Sequence, residues 1–170
     1  MKQLEIINPE RVSQEESDTY RVREAARAIV VDADNNVALL FVSQKNYYKL
    51  PGGGVDEGEE KLEALARECQ EEIGCKVALL GEVGIVVEYR KIFSLKQISY
   101  CYVARVIGEK GAPDFTESES ENGFEIVWLP YDEALAAVST VRTTDFEGAQ
   151  YIAPRDTVLL RNAAELLAKS

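Results

Sequence analysis

The amino-acid sequence predicts a single α/β (α+β) domain over residues 1–170, with a mixed β-sheet covered by helices on both faces. Three observations carry this expectation. The chain has 170 residues, about one domain's worth, and can bury one core without disulfides or a structural metal. Hydrophobic residues make up 46% and charged residues 29%, the balance of an ordinary globular chain. Strand-like and helix-like segments alternate irregularly, without the strict βαβ rhythm of a parallel fold, and no repeat or low-complexity tract interrupts them.

Taken in order, an edge strand is expected at Leu4 to Ile7 and a longer one from Tyr20 to Val31. Within the latter, Ala28-Ile29-Val30-Val31 is a run suited to burial on both faces. Asp32 to Asn36 is a turn by composition, because Asp and Asn tolerate tight backbone, and Val37 to Val42 returns as a hairpin strand. Leu50-Pro51-Gly52-Gly53-Gly54 cannot be regular structure. A helix is expected from Glu59 to Ile73, stopped by Gly74. Strands follow at Lys76 to Leu80, Gly84 to Tyr89, Ile98 to Val106 and Glu125 to Leu129. The acidic, Ser-rich stretch Asp114 to Asn122 reads as a loop between strands, a solvated linker first and a mobile edge of a site as the alternative. Pro130 precedes a short helix, Asp132 to Val138, and a longer helix, Thr157 to Lys169, has Asp156 at its N-cap.

Charge narrows the function. Nineteen basic against thirty acidic residues give a net charge of −11 and a pI near 4.6. Such a surface repels a nucleic-acid polymer or an anionic membrane, whose binding rests on clustered Lys and Arg. A small anionic substrate stays open if a divalent metal bridges the like charges. The absence of histidine excludes Ser-His-Asp triads and His-ligated zinc. Cys69, Cys75 and Cys101 form no CxxC pair and are expected to be reduced and buried. The first ten residues lack the apolar run of a signal peptide, and the longest apolar run, Val37 to Val42, falls far short of the ~20 residues that span a bilayer. The expected compartment is the cytoplasm, and a homodimer is compatible with the composition.

The informative segment is LPGGGVDEGEEKLEALARECQEEIGC. On a helical wheel Leu62, Leu65, Ala66, Cys69 and Ile73 gather into one apolar arc, and Glu68, Glu71 and Glu72 into a second beside it. Surface glutamates supported by Glu63–Arg67 and Arg67–Glu71 pairs are the plain reading. Two physical points argue for more. Like charges at i, i+3 and i+4 repel by about 0.2–0.5 kcal/mol per pair, and Glu71 and Glu72 sit at a helix C-terminus, where the macrodipole favours cations. A hard divalent cation turns that repulsion into chelation. The glycines before the helix let backbone approach a ligand closely.

Gly53, Glu59, Arg67, Glu68, Cys69, Glu71, Glu72, Gly74 and Cys75 follow the order Gly, five residues, Glu, seven residues, Arg-Glu-apolar-x-Glu-Glu-x-Gly-apolar. This box, residues 53–75, resembles the signature of the Nudix hydrolases, the MutT-like pyrophosphohydrolases. At ~7% usage each, seven fixed residue types give about 10⁻⁶ chance matches over the chain. Cys69 and Cys75 stand where the family usually has Ile, Leu or Val, and both serve as buried hydrophobes.

The resemblance implies a Nudix-type α/β/α sandwich and divalent-metal-dependent hydrolysis of a pyrophosphate bond in a nucleoside diphosphate linked to another moiety. Water attacks phosphorus, with Mg²⁺ or Mn²⁺ as cofactor and a small nucleotide as substrate. It implies Glu68, Glu71, Glu72 and Arg67 as catalytic residues, Arg67 by orienting Glu68 and Glu71. Gly53, through its carbonyl, Glu68, Glu71 and Glu72 would be the metal ligands. Arg27, Lys49, Gly52, Gly54 and Glu59 are candidates at the substrate phosphates, with a solvated or ion-paired role the alternative for Arg27 and Lys49 and a hold on the loop–helix junction the alternative for Glu59. Arg23 could also meet phosphates. Glu119, Glu121 and Glu125 are candidates for a further base or ligand. Tyr47, Tyr48, Phe93, Phe124 and Trp128 are candidates for base stacking or for the core. The alternative is a non-catalytic Nudix-like nucleotide or metabolite sensor; such domains often lose box glutamates, and this chain keeps all of them.

Overall fold

A computed structural model describes residues 1–168. Its strands β1 (Gln3–Ile7), β2 (Arg21–Val31), β3 (Val37–Val42), β4 (Tyr47–Lys49), β5 (Lys76–Arg90), β6 (Leu95–Ile107) and β7 (Phe124–Leu129) form one sheet. The order is β1-β5-β6-β2-β3-β4, with β7 along β3. β1 and β5, and β2 and β6, pair in parallel; the other pairs are antiparallel. The helices are α1 (Gln14–Ser17), α2 (Lys61–Ile73), α3 (Glu117–Glu121), α4 (Tyr131–Ser139), α5 (Ala153–Asn162) and α6 (Ala164–Leu167). No helix among the described residues is long and apolar enough to cross a membrane.

The two-residue strand period decides the layers. Ala26, Ala28, Val30, Ala38 and Leu40 face α2, meeting Ala64, Leu65, Cys69 and Ile73. Ile29, Val31, Val37 and Leu39 face the opposite way, against Ala134 and Val138 of α4 and Leu159 and Leu160 of α5. Central strands covered on both faces read as continuous apolar runs, which is why β2 and β3 were legible. The mixed sheet between helical layers is the expected sandwich. All three cysteines are free and buried.

One departure from regular pairing makes the site. β2 and β3 touch only at Val31 and Val37, so the earlier part of β2 has a free edge on that side. The stretch after β4 fills it: Ala28 N–H donates to Pro51 O (2.9 Å), Ala26 N–H to Gly53 O (3.0 Å) and Val55 N–H to Glu24 O (3.1 Å). The glycine loop is thereby stitched antiparallel to β2.

The structure corrects several expectations. α2 starts at Lys61, not Glu59, because Glu60 and Glu63 form a capping box. Its apolar stripe is rotated: Ala64 is buried, whereas Leu62 is 48% exposed and Ala66 lies outside. The two strands expected at Lys76 to Leu80 and Gly84 to Tyr89 are one strand, β5, whose register shifts at Leu79/Gly81 and Glu82/Gly84 absorb the glycines as bulges. The Asp114–Asn122 stretch contains α3, started by a capping box of Thr116 and Glu119. Asp156 is no N-cap: a π-turn at Gly148–Ile152 leads into α5, leaving Asp156 buried inside that helix. The expected end of that helix at Lys169 lies outside the described residues. α1, β4 and a 3₁₀ turn at Lys91–Phe93 are too short for a periodic signal.

Candidate active site

The loop and α2 form one wall of a cavity of about 330 Å³ whose lining includes Arg23, Arg27, Tyr47, Lys49, Glu68 and Glu72. Gly52 holds φ +126°, and a Cβ there would lie 2.2 Å from Ala26 O, so only glycine lets the loop run this close to β2. A Cβ on Gly53 would lie 2.2 Å from Glu68 Oε1: the room a side chain would take is filled by that carboxylate.

Each box residue has a definite setting. Glu72, 2% exposed, accepts from Gly52 N–H at 2.5 Å and from Lys49 Nζ at 2.8 Å. Glu68 is buried one turn away, and burial together with the Glu72 charge raises its pKa against the opposing pull of Arg67. Arg67 donates from Nε to Glu59 (2.9 Å), from Nη1 to Glu68 (3.0 Å) and Glu71 (3.2 Å), and from Nη2 to Glu59 and Gly54 O (both 3.0 Å). All five guanidinium N–H groups are engaged, and the hydrogen bond to Glu59 leads the causes that raise its pKa. The expected Glu63–Arg67 pair is absent because Glu63 serves the helix cap.

The remaining candidates divide. Arg27 is buried, donates to Gly52 O and lines the cavity; burial lowers its pKa to about 10, so it stays charged at neutral pH. Lys49 and Gly54 also line the cavity. Glu59 does not; its carboxylate joins Arg67 to the Asp56 N–H (3.0 Å), which ties the loop to the helix. Of the three acidic candidates beyond the box, Glu119 lines the cavity, while Glu121 and Glu125 are exposed and outside its lining. Of the aromatics, Tyr47 and Phe124 line it. Tyr48 packs on Phe41 with ring centroids 4.7 Å apart, Trp128 lies beneath Lys110 Nζ at 3.7 Å, and Phe93 is exposed at the β5–β6 turn.

Sequence reasoning missed Arg90, Arg155 and Ile152, which complete the lining, and Asp156 behind them. Arg155 and Asp156 are buried and paired at 2.7 Å, and Asp156 Oδ2 accepts from Leu50 N–H at 2.8 Å, reaching the loop from 106 residues away. Arg90 pairs with Glu88 (2.9 Å) and Glu147 (2.7 Å). No local pattern announces contacts at such separations.

The oxygen donors around Gly53 are hard: Glu68 and Glu72 line the cavity with the Gly53 carbonyl, which keeps a lone pair beside its bond from Ala26, whereas Glu71, expected with them, lies outside that lining and is bonded to Arg67. That chemistry suits Mg²⁺ or Mn²⁺ rather than a soft metal. The raised pKa of Glu68 marks a buried carboxylate pair that a cation would relieve. Among the described residues no three acidic, His or Cys groups stand close enough to share an ion; Lys49 and Arg67 hold the carboxylates instead.

A layered sheet carrying this loop–helix wall defines a class of protein, and comparison with known proteins gives the family. The profile of the NUDIX domain matches residues 21–151, and the chain belongs to that family. It is 54% identical over 103 residues to an RNA pyrophosphohydrolase of Sulfurovum sp. (strain NBC37-1), covering 56% of this chain and 66% of the relative. It is 38% identical over 71 residues to an RNA pyrophosphohydrolase of Pelagibacter ubique (strain HTCC1062), covering 40% and 45%. The chain thus spans less than two thirds of either relative. A NUDIX hydrolase from Nitrosomonas europaea has the same fold, with a TM-score of 0.65 over 85% of this chain and 90% of that one, at 16% identity.

Proposed function

We propose that this chain hydrolyses a pyrophosphate bond in a nucleotide-derived substrate. The observation that carries the reading is the pair of buried, like-charged carboxylates, Glu68 and Glu72, set one helical turn apart on a cavity that Arg23, Arg27 and Lys49 also line. The two relatives named as RNA pyrophosphohydrolases carry the same bond chemistry in their name, which supports it.

Glu68, Glu71, Glu72 and the Gly53 carbonyl would hold a divalent cation, with Mg²⁺ or Mn²⁺ the fitting choices. Bound there, such an ion screens the diphosphate charge and lowers the pKa of the attacking water. The chain's own residues do the rest. Arg27 meets phosphate oxygens from the cavity wall, while Lys49 there holds Glu72. Arg67, saturated by Glu59, Glu68, Glu71 and Gly54, holds the carboxylates in place rather than touching substrate. A water oxygen bonds to phosphorus, the bond from that phosphorus to the bridging oxygen breaks, and a carboxylate facing the cavity takes the water proton. Glu68 suits that task better than Glu119, whose Oε2 is already engaged by Thr116 N–H (2.8 Å) and Oγ1 (2.9 Å).

The test is turnover of nucleotide derivatives with and without Mg²⁺ or Mn²⁺, in wild type and in Glu68→Gln and Glu71→Gln. Hydrolysis that disappears on chelation and falls by at least ~10²-fold in the folded variants is expected. Undiminished rates in both variants, or after exhaustive EDTA treatment, would remove the reading. Tight nucleotide binding without hydrolysis would favour the sensor.

A further inference from the structure

The family profile matches residues 21–151, so the segment before Arg21 lies outside it. That segment does more than add β1 to the edge of the sheet. After β1 the chain turns at Asn8, whose Nδ2 donates to Val12 O and whose Oδ1 accepts from Val12 N–H, both at 2.8 Å. Val12 and Tyr20 then pack with Val87 and Tyr89 of β5 as a small core of their own. Between β1 and these anchors stands Glu10. Its Oε2 accepts from Lys91 N–H at 2.8 Å, in the 3₁₀ turn that follows β5. The same oxygen accepts from Tyr151 Oη, which lies in the π-turn 141 residues away.

Through Tyr151 this contact reaches the cavity. The Tyr151 ring is fully buried and lies 5.1 Å from the Arg90 guanidinium. At the start of the π-turn Gly148 sits so close to Tyr47 that a Cβ there would lie 2.6 Å from the Tyr47 ring. Ile152 ends the π-turn, and Arg155 follows on α5. Arg90, Tyr47, Ile152 and Arg155 all line the cavity, so one short turn touches or carries a whole part of its wall. A π-turn is a rarely adopted form, and a buried hydroxyl without an acceptor is costly. Among the described residues the acceptor of Tyr151 is Glu10. Burial first, and the Glu10 carboxylate next, raise the Tyr151 pKa, so the phenol remains a donor at neutral pH.

We propose that Glu10 is a positioning residue for this cavity: one oxygen, bonded at once to Lys91 N–H and Tyr151 Oη, sets the π-turn and through it Arg90, Tyr47, Ile152 and Arg155. The carboxylates of α2 are aligned separately by Arg67, so Glu10 acts on how substrate is held and not on the chemical step. The kinetic consequence rests on the hydrolytic reading above; the hold on the π-turn does not. Because both bonds end on Oε2, a neutral acceptor of the same length suffices. Glutamine should carry them, and alanine cannot.

Two measurements on the full chain test this. In amide hydrogen exchange, Glu10→Ala should speed the amides of residues 148–153 by about 10-fold or more, with those of α2 as in wild type and Glu10→Gln close to wild type throughout. Tyr151→Phe, which removes only the hydroxyl, should match Glu10→Ala and serves in its place if that variant does not fold. Steady-state kinetics use whichever of ATP, GTP, ADP-ribose and diadenosine tetraphosphate wild type hydrolyses fastest. Glu10→Ala and Tyr151→Phe should each raise KM by about 5- to 30-fold with kcat within about twofold. The double variant should be no worse than the poorer single one by more than about twofold, and Glu10→Gln should rescue. Unchanged exchange in the π-turn, exchange raised equally in α2, an unchanged KM, or a Glu10→Gln as impaired as Glu10→Ala overturns the inference and leaves the hydrolytic reading standing. Absence of all turnover in wild type overturns the hydrolytic reading, and the exchange result then decides the role of Glu10.

Discussion

Gly52 and Gly53 are neighbours of one residue type, yet alanine should fail at each for a different reason. At Gly53 the atoms nearest the added Cβ are those of the Glu68 carboxylate, at 2.2 to 2.7 Å. Ordinary contact requires that carboxylate to retreat by about 1 Å, and misplacing a reacting group by that much costs ~10²-fold in rate, or about 2.7 kcal/mol of transition-state stabilisation. Stability should hardly change, because reduced freedom of the unfolded chain contributes about 0.4–1 kcal/mol and a weakened Glu68–Arg67 hydrogen bond removes about as much. At Gly52 the Cβ meets backbone, Ala26 O at 2.2 Å and Arg27 Cα at 2.9 Å, at φ +126°. Backbone cannot swing aside as a side-chain tip can, so Gly52→Ala should lose about 3 kcal/mol or more. Urea unfolding and steady-state hydrolysis, run on both variants, separate the two. Full activity in Gly53→Ala, or equal stability of the two variants, refutes the reasoning.

Two further outcomes follow from burial. Asp156→Ala removes the closer carboxylate partner of the buried Arg155, leaving Glu88 at 3.8 Å, and the acceptor of Leu50 N–H, so it should cost about 3–5 kcal/mol in chemical denaturation; a loss under about 1 kcal/mol would show that the pair does not anchor the loop. Leu65→Ala, at a position 3% exposed, should cost about 2–5 kcal/mol, while Leu62→Ala, at a position 48% exposed, should change stability by less than about 0.5 kcal/mol. Similar losses in the two variants would refute the rotated apolar stripe.

What the sequence revealed and concealed divides along range of interaction. β2 and β3 announce themselves because burial on both faces leaves Ala28 to Val31 and Val37 to Val42 uniformly apolar. The end of α2 is legible in Gly74, which takes φ +65° as its position demands. The box glutamates were legible because their crowding is locally unfavourable. The stripe on α2 was misjudged since the wheel ranks residues by apolarity alone. In the fold the buried arc turns toward Ala64 so that Glu68 and Glu72 can enter the cavity, and Leu62 is left outside. Arg90, Arg155 and Asp156 reach the site only through sheet order and helix docking. Asp156 carries an N-cap residue type, but its carboxylate serves Leu50, far away in sequence.

The same logic explains why position 67 should be arginine and not lysine. Five donors in a planar fork reach Glu59, Glu68, Glu71 and the Gly54 carbonyl at once, linking both ends of the loop–helix unit. An ammonium has three donors on a flexible stem and no plane to spread them in. With Arg67 fully spent on the protein, and Lys49 turned to Glu72, the positive charge left for a ligand comes from β2. The box therefore supplies the carboxylates and their alignment, while Arg23 and Arg27, which line the same cavity, come from outside it. On that division, the cations left to meet a ligand in this cavity stand on a strand that the signature motif does not contain.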